Sequence, residues 1–288
     1  MKISGKTRVC GIIGDPIEHT LSPAMHNAAF EELNLDLIYV AFRVRREELR
    51  AAVIGARSLD VHGLNVTMPH KNAVLRYLDE VDSAARAIGA VNTILNKEGR
   101  LIGYNTDGVG ALKALKENGV NPNGKKLLLL GAGGAGKAIA FQAAQEVEEL
   151  IILNRTPEKA KKLAEVLRKE FNKKINGNVL STEIIKEELR DADILVNATS
   201  VGMHPNIDQS LVPKSSLKPN LCVMDIIYNP IETKLAKDAK AVGAKIISGI
   251  EMLVYQGAAS FEIWTNRQAP VKVMKKAVLN QLALGAHH

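Results

Sequence analysis

The sequence predicts an α/β protein of two domains, the first with a mostly parallel sheet and the second Rossmann-like. Three observations carry this. Strand-like apolar runs alternate with helical patterns along the whole chain. The chain has 288 residues, enough for two domains of ordinary size, each with its own core. One apolar strand also runs straight into a glycine-rich turn that opens a helix.

Taken in order, Arg8–Ile13 reads as a strand, and Pro23–Leu33, with proline suited to a first helical turn, reads as a helix. Leu37–Val44 is a strand, Arg46–Arg57 a helix, Gly63–Thr67 a strand and Pro69–Leu78 a helix. Ala90–Asn96 and Leu101–Tyr104 are short strands joined by the turn Lys97-Glu98-Gly99-Arg100. Val109–Glu117 is helical, and Asn121-Pro122-Asn123-Gly124 punctuates the chain before the next strand.

That strand, Lys125–Leu130, leads into Gly131-Ala132-Gly133-Gly134-Ala135-Gly136 and then the helical pattern Lys137–Glu146. Strand, glycine turn and helix together form the context that a dinucleotide fingerprint requires. Gly131 permits the tight turn, Gly133 lets the backbone approach a pyrophosphate, and Gly136 lets helix pack on strand. Flavin and S-adenosylmethionine proteins carry similar glycine patterns. The following strand ends in Asn154-Arg155-Thr156, with Lys159 beyond, where an NAD enzyme would place an acid. An acid would repel a 2′-phosphate, whereas a guanidinium can clamp one, so the expected cofactor is NADP. The unit continues through helix Pro157–Phe171 and strands Ile194–Ala198, Leu221–Asp225 and Ala244–Ile247. Helices Glu251–Thr265 and Pro270–Leu284 have no strand left to serve and are expected to pack back on the first domain. The expected division is 1–108, 109–250 and 251–288.

Bulk properties narrow the function. Hydrophobic residues make up 46% and charged residues 24%, as in a folded globular protein. The net charge of +7 invites a nucleic-acid reading, but lysine alternates with glutamate along Pro157–Phe171 and aromatics are only 4%. No nucleic-acid partner is expected, and the positive field suits anionic small molecules. Cys10 and Cys222 form neither a disulfide framework nor a metal site, which suits a reducing compartment. No segment reads as a leader or a membrane span, so the expected location is cytoplasmic. The oligomeric state stays open between monomer and homodimer, and His287-His288 receives no function.

Three polar clusters fall at expected helix starts. Ser22 reads as the cap before Pro23, Pro69 opens a helix with Lys71 in its first turn, and Asp107 stands at or near the cap of Val109–Glu117. Ser22 and Asp107 are ordinary capping residues. Lys71 is not, because a cation in a first helical turn opposes the helix dipole. A neighbouring Asp107 would offset that cost, and a lysine so balanced can deliver or accept a proton. His19, His26, His62 and His70 read as structural or surface residues, and Phe261 and Trp264 as core.

Nine segments stand in order along the chain: Gly14–Pro23, Asn65–Lys71, Gly89–Thr93, Gly103–Gly108, Gly131–Gly136, Asn154–Thr156, Asn197–Met203, Asp225–Pro230 and Gly249–Gln256. Together they resemble the shikimate dehydrogenase family over essentially the whole chain. The resemblance implies NADPH-dependent reduction of 3-dehydroshikimate to shikimate, with Lys71 and Asp107 as the catalytic pair. It implies Thr20, Ser22 and Tyr228 at the substrate carboxylate, and Thr67, Asn92, Asp107 and Gln256 at ring hydroxyls. It places NADP over Gly131, Ala132, Gly133, Gly134, Ala135, Gly136, Asn154, Arg155, Thr156 and Lys159, with Thr199, Ser200, Ile226 and Gly249 nearby. Thr20 departs from the serine of many members, keeping the hydroxyl and adding a methyl. The alternatives are a quinate/shikimate enzyme using NAD and NADP, and a non-catalytic NADP-binding sensor.

Overall fold

The computed structural model describes residues 3–285, so the terminal His287-His288 pair lies outside the described residues. Chain contacts divide it into two compact units. One comprises the chain up to Gly110 together with Val254 onward, and the other is Ala111–Leu253.

The first unit contains β1 (Arg8–Gly14), α1 (Ser22–Glu32), β2 (Leu37–Arg43), α2 (Leu49–Ser58), β3 (Gly63–Val66), β4 (Glu80–Val81), α3 (Ser83–Ile88), β5 (Thr93–Lys97) and β6 (Arg100–Tyr104), and α4 (Asp107–Glu117) begins there. The strands form one sheet in the order β2-β1-β3-β5-β6-β4. β1 runs parallel to β2 and β3, and β4 parallel to β6, whereas β5 is antiparallel to both its neighbours. The β5–β6 pair is antiparallel because the tight Lys97–Arg100 turn returns the chain directly. Ile13, Leu64, Val66, Val74, Val91 and Ile94 fill one side of the sheet.

The second unit contains β7 (Lys126–Leu130), α5 (Gly134–Glu146), β8 (Glu149–Asn154), α6 (Pro157–Phe171), β9 (Lys174–Val179), α7 (Thr182–Glu188), β10 (Ile194–Asn197), β11 (Cys222–Asp225), α8 (Lys234–Ala241) and β12 (Lys245–Ile247). All its strand pairs are parallel, in the order β12-β11-β10-β7-β8-β9. This is the doubly wound arrangement, whose order reverses between β7 and β10. Leu127, Leu128, Leu129 and Leu130 are completely buried, which explains why β7 reads as a continuous apolar run.

The chain ends with α9 (Gly249–Thr265) and α10 (Val271–Gly285), and from Val254 onward it belongs to the first unit. There α10 packs on α1, the Phe261 ring lies 5.5 Å from that of Phe30, and Trp264 Nε1 donates to the Ile94 carbonyl at 2.9 Å.

The expected helix Pro69–Leu78 does not form. The segment is a series of turns followed by a short 3-10 helix over Ala73–Tyr77. In an α-helix the Lys71 carbonyl would accept from residue 75; here it accepts from Val91 N–H at 2.8 Å, across the fold. The dipole argument for Lys71 therefore lapses. Arg46–Arg57 likewise divides into a 3-10 turn over Arg46–Glu48 and then α2. The strands β4 and β9 and the helices α3, α7 and α8 stand where the sequence reading placed no element.

Candidate active site

The site is best built from Asn92, which stands just before β5 and is buried with 2% exposure. Its backbone is fixed twice: N–H donates to the Tyr104 carbonyl at 3.0 Å, and the carbonyl accepts from Val66 N–H at 2.8 Å. Its carboxamide nitrogen reaches Asp107 Oδ1 at 2.8 Å, Thr106 Oγ1 at 2.9 Å and Gln256 Oε1 at 3.3 Å. Asp107 is the first residue of α4, and its backbone N–H donates to Asn105 Oδ1 at 3.1 Å. Asn105 is itself tied to the Ala90 carbonyl at 2.9 Å. The second carboxylate oxygen, Asp107 Oδ2, accepts from Lys71 Nζ at 2.6 Å. The lysine side chain retains 19% exposure and the aspartate 5%. A fixed, buried carboxylate thus holds a lysine that is itself only partly buried.

Gln256 comes from α9, close to the start of α4. A Cβ at Gly110 would stand 2.5 Å from the Gln256 backbone nitrogen, so only glycine allows this approach. Thr67, at the end of β3, is anchored by its N–H to the Ile13 carbonyl at 3.0 Å and accepts from His70 N–H at 2.9 Å. Ser22 is not the expected cap. It is the first residue of α1, and Leu21 holds the cap position without a side-chain bond. Thr20 Oγ1 accepts from Ser22 N–H at 3.3 Å. Tyr39, on β2, donates to Asn65 Oδ1 at 2.7 Å in the buried centre of the unit. Burial pushes the Tyr39 phenol well above its ordinary range, so it stays a protonated donor.

The structure therefore brings Lys71, Asn92, Asp107 and Gln256 into direct hydrogen-bonded contact, with Thr20 and Ser22 joined to each other. The sequence reading missed Tyr39, Asn65, Thr93, Thr106 and Ser260, which fill the space behind them. Thr93 and Thr106 sit inside motifs already noted, and adjacency to Asn92 and Asp107 was the available signal. His70 Nε2 contacts the Val44 carbonyl at 2.6 Å and His62 Nε2 the Trp264 carbonyl at 2.8 Å, both buried structural roles. His26 is buried and His19 exposed.

The remaining expected residues lie in the second unit. Gly131 has φ +104°, and a Cβ there would come within 2.7 Å of the Ala198 carbonyl oxygen. A Cβ at Gly136 would stand 2.2 Å from the Gly131 carbonyl oxygen, while at Gly133 nothing lies within 4 Å. Gly133 caps α5 with extended backbone, without a side-chain cap and with no acid in the first turn. The first N–H groups of the helix, including those of Gly134 and Ala135, are thus left without a side-chain cap and suit an anion. Asn154 Oδ1 accepts from Ala132 N–H at 3.0 Å and its amide donates to the Thr156 carbonyl at 3.0 Å, tying the turn to the end of β8. Arg155, Thr156 and Lys159 are exposed, and among the described residues neither Arg155 nor Lys159 pairs with a carboxylate. These features fit a dinucleotide that carries an extra phosphate. Thr199 Oγ1 donates to Asn197 Oδ1 at 2.7 Å, leaving Ser200 exposed beside it. Gly249 lies where a Cβ would meet the Ile226 and Ile227 carbonyl oxygens at 2.5 Å. Tyr228 is half-buried on the loop after β11, and burial pushes its phenol up.

Cys10 and Cys222 are free and buried, their thiols pushed up to about 12 and about 11 by desolvation, so neither is a nucleophile. Among the described residues no group of three or more His, Cys, Asp or Glu side chains could hold a metal, and no helix is long and apolar enough to cross a membrane.

Three family models match along the chain. Residues 12–94 match the shikimate dehydrogenase substrate binding domain, 113–242 shikimate/quinate 5-dehydrogenase, and 249–279 the shikimate 5′-dehydrogenase C-terminal domain. A shikimate dehydrogenase (NADP+) of Methanopyrus kandleri is 49% identical over 285 residues, covering 98% of both chains. A crystal structure of a shikimate dehydrogenase in complex with NADP+ superposes with a TM-score of 0.91 at 46% identity, covering 98% of each chain. A shikimate 5-dehydrogenase from Listeria monocytogenes, in complex with shikimate and NAD, gives 0.90 at 41% identity, covering 96% of this chain and 98% of that one. With matches along nearly its full length, the chain belongs to the shikimate dehydrogenase family.

Proposed function

We infer that the chain is an NADP-dependent oxidoreductase acting on a secondary alcohol. It interconverts 3-dehydroshikimate and shikimate on the route to chorismate and the aromatic amino acids. The observation that carries this is the Lys71–Asp107 pair, 2.6 Å apart, with the lysine open to its surroundings and the aspartate bolted to Asn92. A general acid needs one free face and one fixed partner.

When bound, NADPH supplies the hydride that goes to the ring ketone. Lys71 gives a proton to the oxygen on which charge develops, and in the oxidative direction receives it. Asp107 holds the ammonium by charge and hydrogen bond, and with Thr67, Asn92 and Gln256 it binds ring hydroxyls. Thr20, Ser22 and Tyr228 hold the carboxylate. Gly131, Ala132, Gly133, Gly134, Ala135 and Gly136 hold the pyrophosphate, and Asn154, Arg155, Thr156 and Lys159 the 2′-phosphate side, with Thr199, Ser200, Ile226 and Gly249 near the rest of the cofactor. On this reading 1–108 is the substrate domain, 109–250 the NADP domain and 251–288 the returning helices.

A looser enzyme, taking quinate or NAD as well, is the second reading. Arg155 and Lys159 are exposed, so a cofactor lacking the 2′-phosphate strands no buried charge. Nicotinamide absorbance with shikimate or quinate, each with NADP or NAD, separates the two readings. Turnover with shikimate and NADP is the expected result; cofactor binding without turnover of either acid would make the chain a sensor. The free, buried cysteines support a cytoplasmic location, and a homodimer is a proposal for light scattering to decide.

A further inference from the structure

Behind the reacting pair lies a buried polar cluster larger than proton transfer itself requires. Asn65, Asn92, Thr93, Thr106 and Ser260 are all buried. Amides and hydroxyls in such a place cost free energy unless each donor meets an acceptor. Their pairing fixes a direction. The Thr106 backbone N–H can only donate, and it faces Asn92 Oδ1 at 2.8 Å. An ionised Asp107 can only accept, and it faces Asn92 Nδ2 at 2.8 Å. A flipped carboxamide would set NH2 against N–H and oxygen against carboxylate.

Two hydroxyls hold this orientation from behind. Thr93 Oγ1 donates to Asn92 Oδ1 at 2.9 Å and lies 2.7 Å from Ser260 Oγ. Ser260, one turn beyond Gln256 on α9, accepts from Asn65 Nδ2 at 3.0 Å; because the Thr93 proton is directed at Asn92, the 2.7 Å contact has Ser260 donating to Thr93 Oγ1, with the Gln256 carbonyl at 3.1 Å as its alternative acceptor. Among the described residues neither hydroxyl bonds Lys71 or Asp107; Thr93 acts on Asn92 directly and Ser260 acts through Thr93.

We propose that Thr93 and Ser260 are positioning residues that lock the Asn92 carboxamide toward Asp107 and so keep Asp107 Oδ2 on Lys71. The proposal rests on Lys71 and Asp107 being the reacting pair. It is tested with Thr93→Val, which keeps the shape and β-branching of a strand residue, Thr93→Ser, which keeps the hydroxyl, and Ser260→Ala. For each, kcat and KM for shikimate and the Tm are measured, alone and in an Asp107→Asn background. The Asn92 side-chain amide is followed by NMR of asparagine-labelled protein without substrate.

Thr93→Val is expected to lower kcat about three- to tenfold, as for one ordinary hydrogen bond, with a smaller change in KM. Thr93→Ser should restore the rate, and Thr93→Val should cost little more once Asp107 is already asparagine. The Asn92 amide signals should shift or broaden in Thr93→Val and in Ser260→Ala. A lower Tm with unchanged kcat, or the same fractional loss in both backgrounds, overturns the proposal. Unchanged amide signals overturn it too, and Thr93→Val carries the test if Ser260→Ala fails to fold. Absence of shikimate turnover by the unmodified enzyme overturns the functional assignment instead, while the amide signals still decide the orientation.

Discussion

Lys71 and Asp107 are joined by a 2.6 Å contact, although neither stands where a helix dipole would require the other. The pairing is imposed from the aspartate side, because Asp107 opens α4 and its other oxygen, Oδ1, is held by Asn92. This sharpens the expected behaviour of Lys71→Ala. Without the proton partner, kcat should fall on the order of 10²–10⁴ while KM changes far less. Asp107→Asn should also be slow, and the double variant should fall well short of the product of the two losses. A lower Tm with kcat intact would reduce Lys71 to a tether.

Ser22 stands inside the first turn of α1 and does not cap it. Ser22→Ala should therefore raise KM for shikimate chiefly, since contact with a non-reacting carboxylate is mostly uniform binding. Steady-state kinetics beside a melting curve decide the matter. An unchanged KM with a lowered Tm would leave Ser22 a packing residue.

What was legible in the sequence was local. The turn Gly131–Gly136 could be read because Leu127–Leu130 before it are completely buried and α5 begins within it, all within a few residues. β9 was invisible because it is an edge strand with polar sequence and only Ile175 buried in its core, and its pairing with β8 decides its conformation. The segment around Lys71 misled because Val91, twenty residues on, takes the carbonyl a helix would have used. Ser260 gave no signal: it lies in an apolar helix and reads as core until Asn65 and Thr93 are brought to it.

Gly133 and Gly136 should fail in opposite ways. Gly136→Ala drives a Cβ toward the Gly131 carbonyl oxygen, 2.2 Å away, so it should lower Tm and weaken the cofactor together. Gly133→Ala meets nothing within 4 Å and should fold normally, yet it fills space a pyrophosphate would use. Its expected signature is a raised KM for NADP at an unchanged Tm. Normal NADP binding by Gly133→Ala would remove the pyrophosphate from that turn.

Arg155 is exposed beyond the end of β8. Arg155→Ala should weaken NADP by about 1.5–3 kcal/mol, the usual worth of a hydrogen bond to a charged group, and leave NAD nearly untouched. Titrating both cofactors into both proteins measures this. Equal losses would place Arg155 away from the 2′-phosphate.

His26 should make the fold acid-sensitive. It is completely buried against Tyr39, ring centroids 4.4 Å apart, and neither ring nitrogen has a hydrogen-bond partner among the described residues. Burial pushes its pKa down to about 3, whereas an unfolded chain titrates it near 6.5. Between those values the unfolded state binds a proton that the native state refuses. Stability is therefore undiminished above about pH 6.5 and is lost as pH falls toward 3, by at most about 1.4 kcal/mol per pH unit. His26→Phe keeps an aromatic ring against Tyr39 and removes the titration. Denaturant unfolding at neutral pH and two units below 6.5 should show the unmodified protein losing roughly 2–3 kcal/mol more than the variant. Parallel losses in the two proteins would assign the acid sensitivity to other groups.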